Sequence, residues 1–141
     1  MPDVLVDASA LVALLNGGDV HHDRCVDALK SIRDPLATVW PALTEAMHLL
    51  AGNPPAPAAL CDMVTDGALR LADLDASAFA RIKALMRKYH DVPMDFADAA
   101  LVVVAERERL TRIVTFDRDF DIYRLPRRAR FAVLPSRAGT A

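Results

Sequence analysis

Val4-Leu5-Val6-Asp7-Ala8-Ser9, near the start of the chain, joins a short apolar run to an acid and two small residues. Its three apolar residues predict a short buried strand, and Asp7-Ala8-Ser9 offers side chains that cap a helix. The apolar run from Ala10 to Leu15 follows, and Asn16-Gly17-Gly18 ends it. A strand, a turn and a helix in this order are typical of an α/β fold, with a carboxylate at the end of the first strand.

The same alternation continues to the end of the chain. Further strands are predicted at 36–39, 69–71, 112–115 and 131–134, and further helices at 19–33, 41–51, 58–66, 77–89 and 95–109. The pattern therefore predicts an α/β fold, a three-layer α/β/α domain around a central parallel sheet of four to five strands. We expect one domain over residues 1–141, because the length suits one domain and the linker-like stretch 52–57 is too short to divide two.

Composition and charge narrow the function. The chain is 53% hydrophobic, above the usual share of roughly 45–50%, so we expect part of its surface to be covered in a homodimer and by a protein partner. A net charge of −2 argues against an avid duplex-binding protein. The span 107–137 nevertheless holds nine arginines, including Arg118 and Arg137, against four acids. This local positive excess either binds a phosphate backbone loosely or forms a solvated face.

The cysteines and the termini point to a cytoplasmic protein. Cys25 and Cys61 lack C-x-x-C spacing, so zinc is not expected and both thiols are predicted to be buried. No charged residue of a signal peptide precedes the first apolar run. The uncharged stretch 46–61 contains glycine and prolines that a membrane-spanning helix would not tolerate well. No membrane association is therefore predicted.

Four carboxylates lie beside apolar stretches, at positions where an α/β sheet opens a cleft: Asp7, Glu45, Asp98 and Asp117. Asp7 follows the first strand, and Asp117 lies two residues after the strand that ends at Thr115. Ligands of open α/β sheets bind beyond the carboxyl ends of the strands, so both acids are predicted at one rim. Glu45 and Asp98 lie in the first turns of two helices, which can present them at the same rim.

Acids gathered in one cleft repel each other unless a cation or a proton compensates. Oxygen ligands select hard ions, so a Mg²⁺ or Mn²⁺ site acting on phosphate is the leading hypothesis. One ion would polarise the scissile phosphate and lower the pKa of the attacking water. The hydroxyls of Ser9 and Thr115 are predicted to lie near the same ion or phosphate.

Neighbouring residues have two interpretations each. Asp95 is predicted to cap the helix that contains Asp98. Asp119 is a turn residue or a water-positioning ligand, and with Arg118 it is a candidate for substrate binding. Trp40 either stacks on a base or packs in the core or at its rim.

At these residues the chain resembles the PIN-domain ribonucleases, and most of all the VapC toxin family of bacterial toxin–antitoxin pairs. The motifs that carry the resemblance are Val6-Asp7-Ala8-Ser9, Thr44-Glu45, Pro93-Met94-Asp95-Phe96-Ala97-Asp98-Ala99 and Thr115-Phe116-Asp117-Arg118-Asp119-Phe120. The resemblance implies a Mg²⁺- or Mn²⁺-dependent endoribonuclease that cuts RNA and is silenced by a cognate antitoxin. It implies that Asp7 and Asp98 are the central metal ligands, Glu45 the third acid and Asp117 the fourth. Asp95 and Asp119 duplicate acids beside the expected positions.

Three other functions fit parts of the pattern. A phosphoacceptor domain would carry a lysine at a late strand end, but the last lysine is Lys88. A phosphatase would carry Asp-x-Asp where this chain has Asp7-Ala8-Ser9. The third alternative is a catalytically silent module that binds RNA or protein. Loss of activity with a chelator would distinguish a nuclease from such a module.

Overall fold

The computed structural model describes residues 2–136, and it builds them around a five-stranded parallel sheet. The strands of the sheet are β1 (Val4–Val6), β2 (Leu36–Thr38), β3 (Leu69–Leu71), β4 (Arg112–Val114) and β7 (Ala132–Leu134). Their order is β3-β2-β1-β4-β7, and the neighbours β1 and β4 pair Val6 with Val114. The predicted α/β class and the parallel sheet are confirmed.

In the described part of the chain, six α-helices flank the sheet. They are α1 (Ala8–Leu15), α2 (His22–Ser31), α3 (Trp40–Leu49), α4 (Pro55–Thr65), α5 (Phe79–Lys88) and α6 (Phe96–Glu108). Alternate strand residues face opposite sides of a sheet. Leu5 and Ile113 accordingly belong to a core with residues of α5 and α6, whereas Val6 and Val114 belong to a second core with residues of α1 and α4. The result is the predicted three-layer arrangement.

A two-stranded antiparallel ribbon was not predicted. Its strands β5 (Arg124–Leu125) and β6 (Ala129–Arg130) are only two residues long and are joined by a turn at Pro126–Arg128. Strands this short show no alternation of apolar and polar residues, so the sequence carries no periodic signal for them. The ribbon lies between a short 3-10 turn, Arg118–Asp121, and β7.

Several predicted boundaries were wrong. The helix predicted from residue 19 begins at His22, because the Asp19 carboxylate accepts a hydrogen bond of 2.8 Å from the His21 amide in a turn before the helix. The predicted linker 52–57 is shorter, since α4 begins at Pro55. Proline suits the first turn of a helix, where its missing N–H is not needed. The helix predicted at 77–89 begins as a 3-10 turn, Ala76–Ala78, whose N-cap Asp75 accepts from the Ser77 amide at 2.9 Å.

Three other expectations have mixed outcomes. Cys25 is buried as predicted, but Cys61 is exposed on α4. Within residues 2–136, no helix combines the length and the apolar character needed to cross a bilayer. Arg137, counted in the basic segment, lies outside the described residues.

Candidate active site

Asp7 is a buried carboxylate at the carboxyl end of β1, where it also forms the N-cap of α1. Its Oδ1 accepts hydrogen bonds from the Ala10 amide at 3.0 Å and from the Ser9 hydroxyl at 2.7 Å, and its Oδ2 accepts from the Thr115 hydroxyl. Burial raises the pKa of Asp7 to about 6, although these hydrogen bonds oppose the rise. The carboxylate is therefore held in one orientation by three donors.

Two hydroxyls join Asp7 to the loop that follows β4. The Phe116 amide donates to Ser9 Oγ at 2.9 Å, and the Asp117 amide donates to Thr115 Oγ1 at 2.9 Å. Ser9 and Thr115 therefore hold the loop at the end of β4 against the start of α1. The structure gives both hydroxyls this positioning role at the rim where the sequence predicted them.

Asp98 lies in the first turn of α6, with its side chain almost fully buried. Its Oδ2 accepts a hydrogen bond of 2.7 Å from the Tyr123 hydroxyl. Burial raises the pKa of Asp98 to about 8, and the charges of Asp95, Asp117 and Asp7 add to the rise. A buried acid among other acids needs a compensating proton or cation.

Three carboxylates converge at this point. One oxygen each from Asp98, Asp117 and Asp119 lies within 4.8 Å of the other two. Asp117 and Asp119 reach this position through a turn in which Asp117 Oδ1 accepts from the Asp119 amide at 2.9 Å. Desolvation, followed by the charges of Asp117 and Asp95, raises the pKa of Asp119. We call Asp98, Asp117 and Asp119 the carboxylate cluster.

The other predicted acids lie around the carboxylate cluster. Among the described residues, Asp7 and Glu45 are not members of it. Glu45 is exposed on α3, and desolvation followed by the charges of Asp95 and Asp117 raises its pKa, so it lies within their electrostatic field. Asp95 caps α6 as predicted, because its Oδ1 accepts from the Asp98 amide at 2.8 Å.

An open groove borders this acidic region. It has a volume of about 620 Å³, and Trp40, Glu45, Asp95 and Phe96 line it. The Trp40 side chain is 59% exposed, so of its predicted positions the core is excluded, whereas packing at the rim and stacking on a base stay predictions. Arg118 is also exposed, between the two cluster residues of its turn.

The carboxylate cluster has the donor set of a hard divalent cation. Its ligands are all oxygen, and across residues 2–136 no arginine or lysine pairs with these three carboxylates. Among the described residues, no cation therefore offsets the repulsion that adds to the effect of burial in raising the pKa of Asp98. Asp98, Asp117 and Asp119 would suit a hard divalent cation, which typically binds a few carboxylates and retains waters.

Comparison with known proteins agrees with this architecture. The model of the PIN domain family matches residues 4–125. Ribonuclease VapC26 of Mycobacterium tuberculosis is 30% identical over 135 residues, which cover 94% of this chain and 100% of that protein. The chain therefore belongs to the PIN-domain family, in its VapC group.

Solved structures share the fold at lower identity. The crystal structure of Mycobacterium tuberculosis VapC20, a sarcin-ricin loop cleaving toxin, has a TM-score of 0.79 and 21% identity over 85% of this chain and 94% of that one. A chain of a toxin–antitoxin complex from Klebsiella pneumoniae has a TM-score of 0.57 and 17% identity, covering 82% and 88% of the two chains. Both show the likeness of the fold.

Sequence reasoning missed one residue of the site and underrated another. Tyr123 contacts Asp98, yet only the general need of a buried tyrosine hydroxyl for a partner could have indicated it. For Asp119 the sequence predicts either a turn residue or a ligand, and the structure places its carboxylate in the cluster. The duplicated acid in Asp117-Arg118-Asp119 was the signal available for it.

Proposed function

We propose that this chain is a Mg²⁺- or Mn²⁺-dependent endoribonuclease that acts as the toxin of a toxin–antitoxin pair. The observation that carries the proposal is the convergence of Asp98, Asp117 and Asp119 within 4.8 Å without a basic partner among the described residues. The similarity to a ribonuclease over nearly the whole chain supports RNA as the substrate. The parallel-sheet rim is where α/β proteins bind ligands.

The residues have separate tasks in this proposal. Asp98, Asp117 and Asp119 would hold the ion. Asp7 and Glu45 would complete the acidic surface at which the phosphodiester bond is hydrolysed. When bound, the ion polarises the phosphate and lowers the pKa of the attacking water. Tyr123 orients Asp98, and Thr115 and Ser9 orient Asp7, so the oxygens stay in place through the reaction.

An antitoxin is the proposed protein partner. The Klebsiella pneumoniae chain of the same fold comes from a toxin–antitoxin complex. A second groove of about 420 Å³ lies between α3 and α4, with the apolar side chains of Trp40, Met47 and Val64 among its lining. This surface would suit the apolar face of an antitoxin segment. The homodimer stays a prediction, which light scattering at high protein concentration can test.

Cleavage of a labelled RNA by the purified protein tests the activity. We expect Mg²⁺ or Mn²⁺ to support cleavage and a chelator to abolish it. Asp98→Asn and Asp117→Asn are expected to lower the rate by more than about 100-fold, beyond the usual effect of residues that only orient a metal ligand. Asp62→Asn, which removes an exposed carboxylate of α4, is the charge-matched control and should cleave normally.

Wild-type cleavage by either cluster variant, or cleavage that resists the chelator, would refute the proposal. Tight RNA binding without cleavage under all metal conditions would instead favour the catalytically silent module.

A further inference from the structure

A large basic cavity lies away from the carboxylate cluster, between α5, α6 and the β5–β6 ribbon. Its volume is about 880 Å³. Among its lining residues are six cations and one acid, Glu106; the cations are Arg81, Lys88, Arg124, Arg127, Arg128 and Arg130. In a chain with a net charge of −2, this is a pronounced local concentration of positive charge.

Two of these cations form hydrogen bonds within the protein. Arg81 forms a two-pronged ion pair with Glu106, at 2.9 and 2.8 Å. Arg124 Nη1 donates to three backbone carbonyls, those of residues 121, 122 and 123, at 2.7 to 3.1 Å. They help to build the wall of the cavity.

Three arginines remain available to a ligand. Arg127, Arg128 and Arg130 are exposed, and their side chains form no hydrogen bond or ion pair with the described part of the chain. Lys88 is also exposed, with its ammonium over the Tyr89 ring at 5.2 Å. These four side chains form what we call the arginine surface. Guanidinium groups bind phosphate through two parallel hydrogen bonds, so this surface suits a polyanion.

The turn of the ribbon holds two arginines in an uncommon backbone conformation. Arg127 and Arg128 have φ angles of 63° and 62°, in the left-handed region that glycine or asparagine adopts more readily. The ribbon enforces the turn, because Leu125 pairs with Ala129 and the Leu125 and Phe131 side chains are buried beside it. Arginine here costs stability, which favours a use for the two side chains.

A pair of buried tyrosines connects the wall of the cavity to the carboxylate cluster through the protein interior. The Arg124 amide donates to the Tyr89 hydroxyl at 3.0 Å, and the Tyr89 ring meets the Tyr123 ring edge-on at 5.1 Å between centroids. Tyr123 in turn donates to Asp98. An RNA of several nucleotides, unlike a mononucleotide, has phosphates beyond the scissile one that a second site can bind.

We propose that the arginine surface binds the phosphodiester backbone of the RNA substrate outside the scissile position. The inference rests on the proposed endoribonuclease function. The carboxylates repel a phosphate backbone, so the affinity for RNA has to come from cations elsewhere on the protein. Lys88, Arg127, Arg128 and Arg130 supply them in the lining of one cavity.

Salt-dependent binding of RNA tests this proposal separately from catalysis. The parent is Asp117→Asn, which blocks cleavage, and the ligand is a fluorescent single-stranded RNA of about 20 nucleotides, long enough for several contacts. The test variant adds Arg127→Asn and Arg128→Asn, because asparagine tolerates the left-handed conformation. The control adds Lys30→Gln and Arg33→Gln. These substitutions remove the same charge from two exposed residues that lie before β2 and do not line the cavity.

We expect the test variant to bind RNA about 10-fold more weakly, and its slope of log K against log salt to fall by about 1.4, or about 0.7 for each lost phosphate contact. Its melting temperature should be no lower than that of the parent. In the wild-type protein, which retains Asp117, Arg127→Asn with Arg128→Asn should raise KM for a long RNA. The KM for a trinucleotide should not change.

Unchanged RNA affinity and salt slope would overturn the proposal, as would an equal loss in the control. Unchanged RNA affinity together with loss of binding to an acidic protein would assign the surface to that class of partner instead. If the wild-type protein cleaves no RNA but the two slopes differ as expected, the nuclease function fails while the backbone site stands.

Discussion

The hydroxyl of Tyr123 donates a hydrogen bond of 2.7 Å to Oδ2 of Asp98, and both groups are buried. Burial, followed by the hydrogen bond to Asp98, raises the pKa of Tyr123, so the hydroxyl keeps its proton and remains a donor. Tyr123 therefore fixes one oxygen of Asp98, and the other remains available to a ligand.

Tyr123→Phe should weaken ion binding and cleavage while the fold persists. The phenylalanine ring can keep the edge-on contacts with Tyr89 and Phe120, but Asp98 loses the donor that orients it. Loss of such an orienting partner typically costs about 10–100-fold in metal affinity or activity. The measurements are Mn²⁺ affinity by calorimetry and the cleavage rate. Tyr89→Phe is the control, since it removes a hydroxyl that accepts from the Arg124 amide of the ribbon. An equal loss in both variants would contradict the role of Tyr123.

Thr115→Val is expected to lower both stability and cleavage. The Thr115 hydroxyl donates to Asp7 and accepts from the Asp117 amide, so valine leaves the Oδ2 oxygen of Asp7 and the Asp117 amide without this partner. An unsatisfied buried group costs about 1–3 kcal/mol, measurable by denaturant unfolding. Thr38→Val is the matched control, because Thr38 is equally buried and its hydroxyl donates to the Val6 carbonyl rather than to a carboxylate. It should lose stability but keep its cleavage rate per folded molecule. Normal cleavage by folded Thr115→Val would refute the positioning role.

The stability of the metal-free protein should depend on Asp98 and pH. Its pKa is raised from 3.8 to about 8 by folding, so the folded state prefers the protonated acid. This preference is fully present below about pH 4 and is lost as the pH rises toward about 8. Asp98→Asn, which cannot ionise, should therefore become more stable than the wild type with rising pH. Each pKa unit corresponds to about 1.4 kcal/mol, so the difference should reach a few kcal/mol.

Melting curves of both proteins across this pH range, recorded with a chelator present, measure the difference. Asp62→Asn should follow the wild type at every pH, since its carboxylate is exposed on α4. A constant difference between Asp98→Asn and the wild type would show that Asp98 is not the titrating group.

Divalent ions should reverse that penalty. Binding of Mg²⁺ or Mn²⁺ to the native state raises the melting temperature. At an ion concentration of 100 times the dissociation constant, the free energy of unfolding rises by about 2.7 kcal/mol. The rise should be present in the wild type and in Asp62→Asn, and lost in Asp98→Asn and Asp119→Asn. The Asp119 variant is informative because that acid was not among the four predicted from the sequence. A full rise in the Asp119 variant would remove it from the ligand set.

Features that depend on neighbouring residues in the sequence were mostly predicted. Asp7 could be placed because a strand end and a helix cap coincide there, and both signals are local. The five sheet strands were recognisable as short apolar runs between turns. The ribbon was missed because two-residue strands have no period, although it carries the arginines at the edge of the basic cavity.

The parts of the site that could not be predicted depend on long-range packing. Whether Tyr123 contacts Asp98, which is 25 residues away, depends on how the ribbon docks against α6. Similarly, the short turn that begins at Asp117 directs Asp119 toward Asp98, and a pair of acids two residues apart does not reveal that direction. Trp40 illustrates the same limit, since apolar neighbours in sequence did not bury it.

Anomalous diffraction from crystals grown with Mn²⁺ can show whether Asp98, Asp117 and Asp119 share one divalent ion. We expect an anomalous peak bounded by oxygens of these three residues, at the coordination distances of about 2.0–2.2 Å typical of small hard ions. No peak among them at millimolar Mn²⁺, or three carboxylates turned onto separate faces, would contradict it.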